Sequence, residues 1–203
     1  MKKVVMICSH LYSGSNILYD AMDQHPRIQG FKRREGNLYG SLLSVINLAN
    51  QDHKVKNKSA IYLDELLHNF QIYSKDLYKC CKFIYVIRRP EPTLNYMIAV
   101  DKKTPEFSIL YYKYRIRRIC EMAKRTPGAV FLTYDDLILN RGLNLIEEYL
   151  DLYQPIQFDP KLLENISLGS GTELLGSTLR SEIENIYEKY LYFLKNQSLR
   201  RLP

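Results

Sequence analysis

Two short stretches of this sequence carry residue types suited to holding an anion. The first is Ser9-His10-Leu11-Tyr12-Ser13-Gly14-Ser15-Asn16, small and polar, set between an apolar run and an amphipathic one. Backbone N–H groups at a helix start point outward and the helix dipole favours negative charge there. A strand, a small-residue loop and a helix start therefore make an anion cradle. Ser13, Ser15 and Asn16 add side-chain hydrogen-bonding groups. The same residues would also serve simply to turn the chain and cap the helix. The loop is not a Walker A, whose first Gly and Lys are both absent, so a nucleoside triphosphatase is disfavoured. The second stretch is Arg88-Arg89-Pro90, which closes the apolar run Phe83-Ile84-Tyr85-Val86-Ile87. An arginine at the end of a buried strand can grip a phosphate through its planar fork, or pair with a carboxylate at the sheet end.

Other reactive residues are less organised. Glu35 lies in Lys32-Arg33-Arg34-Glu35-Gly36, where it reads either as a general base or as a surface acid paired with its arginine neighbours. His10 is beside the first loop and has two readings, a ligand contact or packing beside the strand. His25, followed by Pro26, suits a capping or packing role; His53 and His68 read as surface. Lys113-Tyr114-Arg115-Ile116-Arg117-Arg118 mixes basic and aromatic residues. Such a mix invites a nucleic-acid reading. The helical period instead buries Tyr112 and Ile116, which puts the basic residues on a solvated face able to steer an anionic acceptor. The cysteines Cys8, Cys80, Cys81 and Cys120 contain no CxxC. A zinc site thus has no sequence support, and adjacent Cys80-Cys81 is a poor disulfide framework, which favours a reduced, cytoplasmic setting.

These residues need elements to position them. Buried-strand runs occur at Lys3–Cys8, Phe83–Arg88 and Val130–Thr133, with Ile28–Phe31 weaker. Helical faces are Ile17, Leu18, Ala21 and Met22, and then Tyr62, Leu63, Leu66, Leu67 and Phe70. A helix from Thr104 to Arg125 has Thr104 as N-cap, Pro105 at its first position and Pro127-Gly128 beyond its end. Its buried face is Tyr112, Ile116, Ile119, Cys120 and Ala123. The last helix, Thr178 to Asn196, buries Ile183, Ile186, Tyr187, Tyr190, Leu191 and Leu194. Strands alternating with helices predict an α/β fold, a central parallel sheet flanked by helices on both faces. Ligands of such sheets bind at the carboxyl ends of the strands, where both anion-suited stretches fall.

The chain has 203 residues, a length that predicts a single domain over 1–203. Hydrophobic residues make up 46% and charged residues 25%, which excludes a disordered chain. No apolar run is long enough to span a membrane, and the N-terminus lacks the pattern of a signal peptide. With 29 Lys+Arg against 22 Asp+Glu the net charge is +7, which predicts an anionic ligand or partner.

In series, the motifs resemble those of the sulfotransferase family, which uses 3′-phosphoadenylyl sulfate (PAPS). That family's first motif runs Pro, Lys or Arg, Ser-Gly and two Ser/Thr after the first strand, with a His-Pro pair farther on. Leu11-Tyr12-Ser13-Gly14-Ser15-Asn16 fills it, and His25-Pro26 follows. Its second motif is a strand, then Arg-x-Pro and a later Ser. Arg88-Arg89-Pro90 opens it and Tyr96 falls on the Ser position, with Asn95 one residue earlier. A third resembles a strand followed by Tyr-Glu-Asp-Leu, here Val130-Phe131-Leu132-Thr133-Tyr134-Asp135-Asp136-Leu137. The resemblance covers about residues 3–152 and, more loosely, the last helix.

The resemblance implies a P-loop NTPase-like sulfotransferase architecture. It also implies transfer of a sulfuryl group from PAPS to a hydroxyl or amine of a saccharide, peptide or small molecule, with PAP released and no metal required. Tyr12, Ser13, Gly14, Ser15 and Asn16 would hold the 5′-phosphosulfate. Arg88, with Asn95 or Tyr96, would hold the 3′-phosphate, and Glu35 would be the base. The Gly-rich stretches 168–172 and 176–178 would close over the adenosine or act as plain turns. The chain departs from the family at Tyr12, which stands where a Lys or Arg neutralises charge on the bridge that breaks. Tyrosine donates one hydrogen bond and brings no charge; Lys32, Arg33 or Arg34 are possible substitutes. Rival readings are a nucleotide-binding protein impaired in catalysis and a P-loop-like kinase. No nucleic-acid partner is expected, and acceptor and oligomeric state are open.

Overall fold

The computed structural model describes residues 4–31, 59–64, 81–159 and 177–199. Among these the chain runs β1 (Val4–Ser9), α1 (Ser15–Asp23), β2 (Ile28–Phe31), β3 (Ser59–Asp64), β4 (Cys81–Ile87), α2 (Pro90–Ala99) and α3 (Pro105–Ala123). It continues through β5 (Val130–Thr133), α4 (Tyr134–Ile138), α5 (Leu143–Leu150) and α6 (Ser177–Leu199). The strands form one parallel sheet in the order β2-β3-β1-β4-β5.

A parallel sheet covered by helices buries both faces of its strands. Every residue of β1 is buried; Val4, Met6 and Cys8 enter one core, Val5 and Ile7 the other. β4 divides the same way, with Phe83, Tyr85 and Ile87 on the first side and Ile84 and Val86 on the second. The first core is closed by Leu94 of α2, by Tyr112, Ile116 and Ile119 of α3, and by Ile183, Tyr187 and Leu191 of α6. The second is closed by Leu18 and Met22 of α1, Leu137 of α4 and Ile146 of α5. Fully burying one such aliphatic or aromatic side chain is worth about 1.5–3 kcal/mol, so the two layers together fix the sheet.

The strands expected at Ile28–Phe31 and Val130–Thr133 form with those bounds. The run Phe83–Arg88 begins earlier, at Cys81, and stops at Ile87. One helix expectation fails. The run from Tyr62 toward Phe70, read as a helix, begins inside β3, which pairs with β1 on one side and β2 on the other. A short apolar run fits either period, and strand pairing decides it. Residues 65–70 lie outside the described residues.

Helix α3 starts as its sequence predicts. Thr104 Oγ1 accepts from Phe107 N at 3.2 Å and Pro105 occupies the first turn. The expected face of Tyr112, Ile116, Ile119, Cys120 and Ala123 is buried. The solvated face expected for the basic residues holds for Arg117, which pairs with Glu121; Arg118, also paired with Glu121, and Lys113, paired with Glu182, are half-buried. It fails for Arg115, which is 2% exposed. Arg115 lies on the line Ser108, Tyr112, Arg115, Ile119, Met122, all buried, whose three- and four-residue steps follow one helix face.

Gly30 lets α1 close on β2. A Cβ there would collide with the Tyr19 hydroxyl and the Asp23 carboxylate, and Gly30 N donates to Asp23 Oδ1. The strand order gives the sheet its functional edge. From β1 the chain passes through α1 to β2 on one flank, and from β4 through α2 and α3 to β5 on the other. The adjacent carboxyl ends of β1 and β4 therefore send their connections apart, making a switch point of the kind at which ligands of such sheets bind.

Candidate functional site

The loop 10–14 follows β1 at that switch point. Gly14 is the N-cap of α1 with φ 84°, a left-handed conformation open to glycine, and it gives no side-chain cap. Ser13 N donates to His10 O at 3.3 Å, which folds the loop back on itself. Ser9 Oγ donates to Ser15 Oγ at 2.8 Å and ties the strand end to the first helical residue. Ser13 Oγ is buried with no hydrogen-bond partner among the described residues. A buried hydroxyl left unsatisfied calls for a partner, and this one sits in a loop that leads into a helix N-terminus. The residues present therefore fit a bound anion.

Tyr12 has φ 61°, a left-handed backbone that an aromatic residue adopts at a cost of about 1–3 kcal/mol. Its hydroxyl donates to Asp101 Oδ2, and its ring packs on the Tyr96 ring with centroids 4.2 Å apart. Burial and the neighbouring Asp101 both push the Tyr12 phenol above its ordinary range. Its one proton is therefore committed to a carboxylate. Tyr96, the residue on the motif's Ser position, serves as the wall for that ring, while Asn95 is buried on α2.

Arg88 joins the two motifs. It is 3% exposed, its Nη1 donates to Tyr12 O at 3.2 Å, and its guanidinium lies 3.9 Å from the Tyr134 ring centroid. Burial lowers its pKa, opposed by Tyr134 and Asp135. Arg88 N donates to His10 Nε2 at 2.9 Å, so Nδ1 carries the His10 proton and donates it to Leu11 O at 2.8 Å. Burial pushes the His10 pKa down to about 4, with Arg115 and Arg88 adding repulsion. Of its two readings, packing is the one the structure supports: a neutral imidazole that pins the loop to the end of β4. The Tyr112 hydroxyl completes the pin by donating to Arg88 O at 2.6 Å.

The β1 loop and the Arg88 turn thus converge as expected, and Tyr12, Ser13, Gly14, Ser15, Arg88 and Tyr96 cluster there. Asn16 is exposed on the first turn of α1. Glu35, Lys32, Arg33, Arg34, His53, His68, Cys80 and the glycines at 169, 171 and 176 lie outside the described residues. His25 packs, its Nδ1 accepting from Arg27 N and its Nε2 donating to Gln154 O. Sequence reading missed Asp101, Tyr111, Arg115 and the stacking role of Tyr134. Only Arg115 left a signal, its place on the buried line of α3.

No family model and no curated protein matches the sequence. Solved structures do resemble the fold. A sulfotransferase from Alicyclobacillus acidocaldarius has a TM-score of 0.61 at 13% identity, covering 100% of this chain and 98% of that one. A mouse sulfotransferase complexed with PAP has a TM-score of 0.58 at 12% identity, covering 97% and 89%. The sulfotransferase domain of a Synechococcus olefin synthase has a TM-score of 0.53 at 14% identity, covering 100% and 96%. The chain has the sulfotransferase fold, an α/β architecture of the P-loop-like class. At these identities the likeness speaks to the fold alone.

Proposed function

We propose that the chain is a PAPS-dependent sulfotransferase and that residues 1–203 act as one sulfotransferase-like domain. The observation that carries this reading is the convergence, at the switch point, of the Ser13–Gly14 loop and the buried Arg88. Ser13, Ser15, Asn16 and the backbone of Tyr12 and Gly14 hold the 5′-phosphosulfate. Arg88 supplies the fixed charge for the 3′-phosphate, oriented by Tyr134 below it, with Asn95 or Tyr96 as its neighbour. Burial of the guanidinium strengthens such a contact, because water competes less for it.

Sulfuryl transfer, like phosphoryl transfer, depends on positioning and charge stabilisation. An acceptor hydroxyl or amine attacks sulfur in line, the bond from sulfur to the bridging oxygen breaks, and PAP leaves. The acceptor's proton goes to a base, for which Glu35 is the proposed residue. We place the protein in the cytoplasm, since its cysteine pattern suits a reducing compartment. Among the described residues no helix is long and apolar enough to cross a membrane.

A second reading, a nucleotide-binding protein impaired in catalysis, is favoured by the Tyr12–Asp101 contact. Loss of an electrostatic donor at such a site costs about 100-fold or more in rate. Transfer of labelled sulfate from PAPS to a panel of hydroxyl and amine acceptors separates the two. Labelled product from the wild-type chain supports the enzyme. PAP binding without product, and product only after Tyr12→Lys, supports the impaired protein.

A further inference from the structure

We propose that Arg115, acting through the Tyr111 hydroxyl, supplies the positive charge that Tyr12 does not bring to the loop. This rests on the reading of the loop as a nucleotide site and adds a positioning residue to it. Arg115 is 2% exposed on α3. Its Nε donates to Tyr111 Oη at 3.4 Å, and its guanidinium lies 5.5 Å from the Tyr111 ring centroid. Tyr111 Oη also accepts the Leu11 N–H at 3.1 Å. One phenol oxygen thus joins a buried cation to the backbone of the loop, one residue before Tyr12.

Two consequences follow from the chemistry of that oxygen. Both contacts use it as an acceptor, so its own proton is left to point elsewhere, and a hydroxyl receiving a charged donor becomes a stronger donor itself. The positive charge of Arg115 is also felt inside the loop, because it and Arg88 together disfavour protonation of His10. The Asp101 carboxylate, which accepts from the Tyr12 hydroxyl, repels an incoming anion. A cation tied to the loop through Tyr111 offsets that carboxylate, and Arg115 is buried where solvent does not screen it.

The test compares two nucleotides that differ only at the 5′ position, PAP and 3′-AMP, by calorimetric titration. The wild-type chain binds PAP more tightly than 3′-AMP, and that ratio reads the 5′-phosphate contact. Arg115→Met shrinks the ratio by about tenfold or more, with 3′-AMP affinity unchanged. Arg115→Lys keeps most of it. Tyr111→Phe shrinks it in the same direction and loses no buried charge, so it carries the test if Arg115→Met fails to fold. A purely structural role of Arg115 would weaken both nucleotides alike and leave the ratio unchanged. An unchanged ratio in Tyr111→Phe and in folded Arg115→Met overturns the inference and leaves the donor site standing. A wild-type chain that binds neither nucleotide overturns the donor site and this inference together.

Discussion

Ser13 Oγ is buried with no hydrogen-bond partner among the described residues, and a polar group in that state costs about 1–3 kcal/mol. Ser13→Ala therefore leaves the unliganded protein as stable as before or up to about 1 kcal/mol more stable. On the proposed function the same change weakens PAP binding, because the ligand is then the hydroxyl's partner. Denaturant unfolding and titration together check this; a variant that loses stability and keeps its affinity contradicts it. His10 makes a prediction in pH. Its pKa is about 4 in the folded chain against an ordinary 6.5, so between those values the unfolded chain takes up a proton that the folded chain refuses. The contribution is complete above pH 6.5 and is lost as pH falls toward 4, to about 3 kcal/mol in all. Stability measured across that window should fall more steeply for the wild type than for His10→Asn. Parallel curves would show that His10 is not held neutral. At this scale the sequence made Ser13, Gly14 and Arg88 legible through their motif positions. It left Asp101 and Tyr111 unread, because each meets the loop only through tertiary contact.

Helix ends and strand cores are the elements whose local chemistry matched their structure. Thr104-Pro105 opens α3, and Thr133 with Asp136 forms a capping box that opens α4 directly from β5. The strand β3 was misread because Ile61-Tyr62-Leu63 fits either period and its partners, β1 and β2, lie far off in sequence. Arg115 was misread because charge suggested solvent while its spacing along α3 indicated the core. Gly30 gives the element-scale prediction. Gly30→Ala pushes a methyl group into Tyr19 and Asp23 of α1, and overpacking of this kind costs about 1–3 kcal/mol. Thermal unfolding should show the loss, with PAP affinity little changed in the folded fraction, because the contact lies between α1 and β2 and not in the 10–14 loop. A variant as stable as the wild type would mean that α1 does not close on β2 as described.

At the scale of the molecule, the sheet order brings together two segments far apart in sequence, the loop 10–14 and the turn at Arg88. Sequence motifs named both segments and their order; only the β1–β4 pairing shows that His10, Arg88 and Tyr112 bind them into one unit. The net charge of +7 suits an anionic ligand without saying where it binds. The proposed site takes a nucleotide bearing phosphates at both the 3′ and 5′ positions. The direct test is the thermal midpoint of the full chain with PAP, with ADP and AMP as controls. At a hundredfold excess over the dissociation constant, binding adds about 2.7 kcal/mol, which for a chain of this size raises the midpoint by roughly 5–10 °C. A rise with PAP that neither control produces is the result predicted. No rise at millimolar PAP, or an equal rise with ADP and AMP, would contradict the site and leave only the fold.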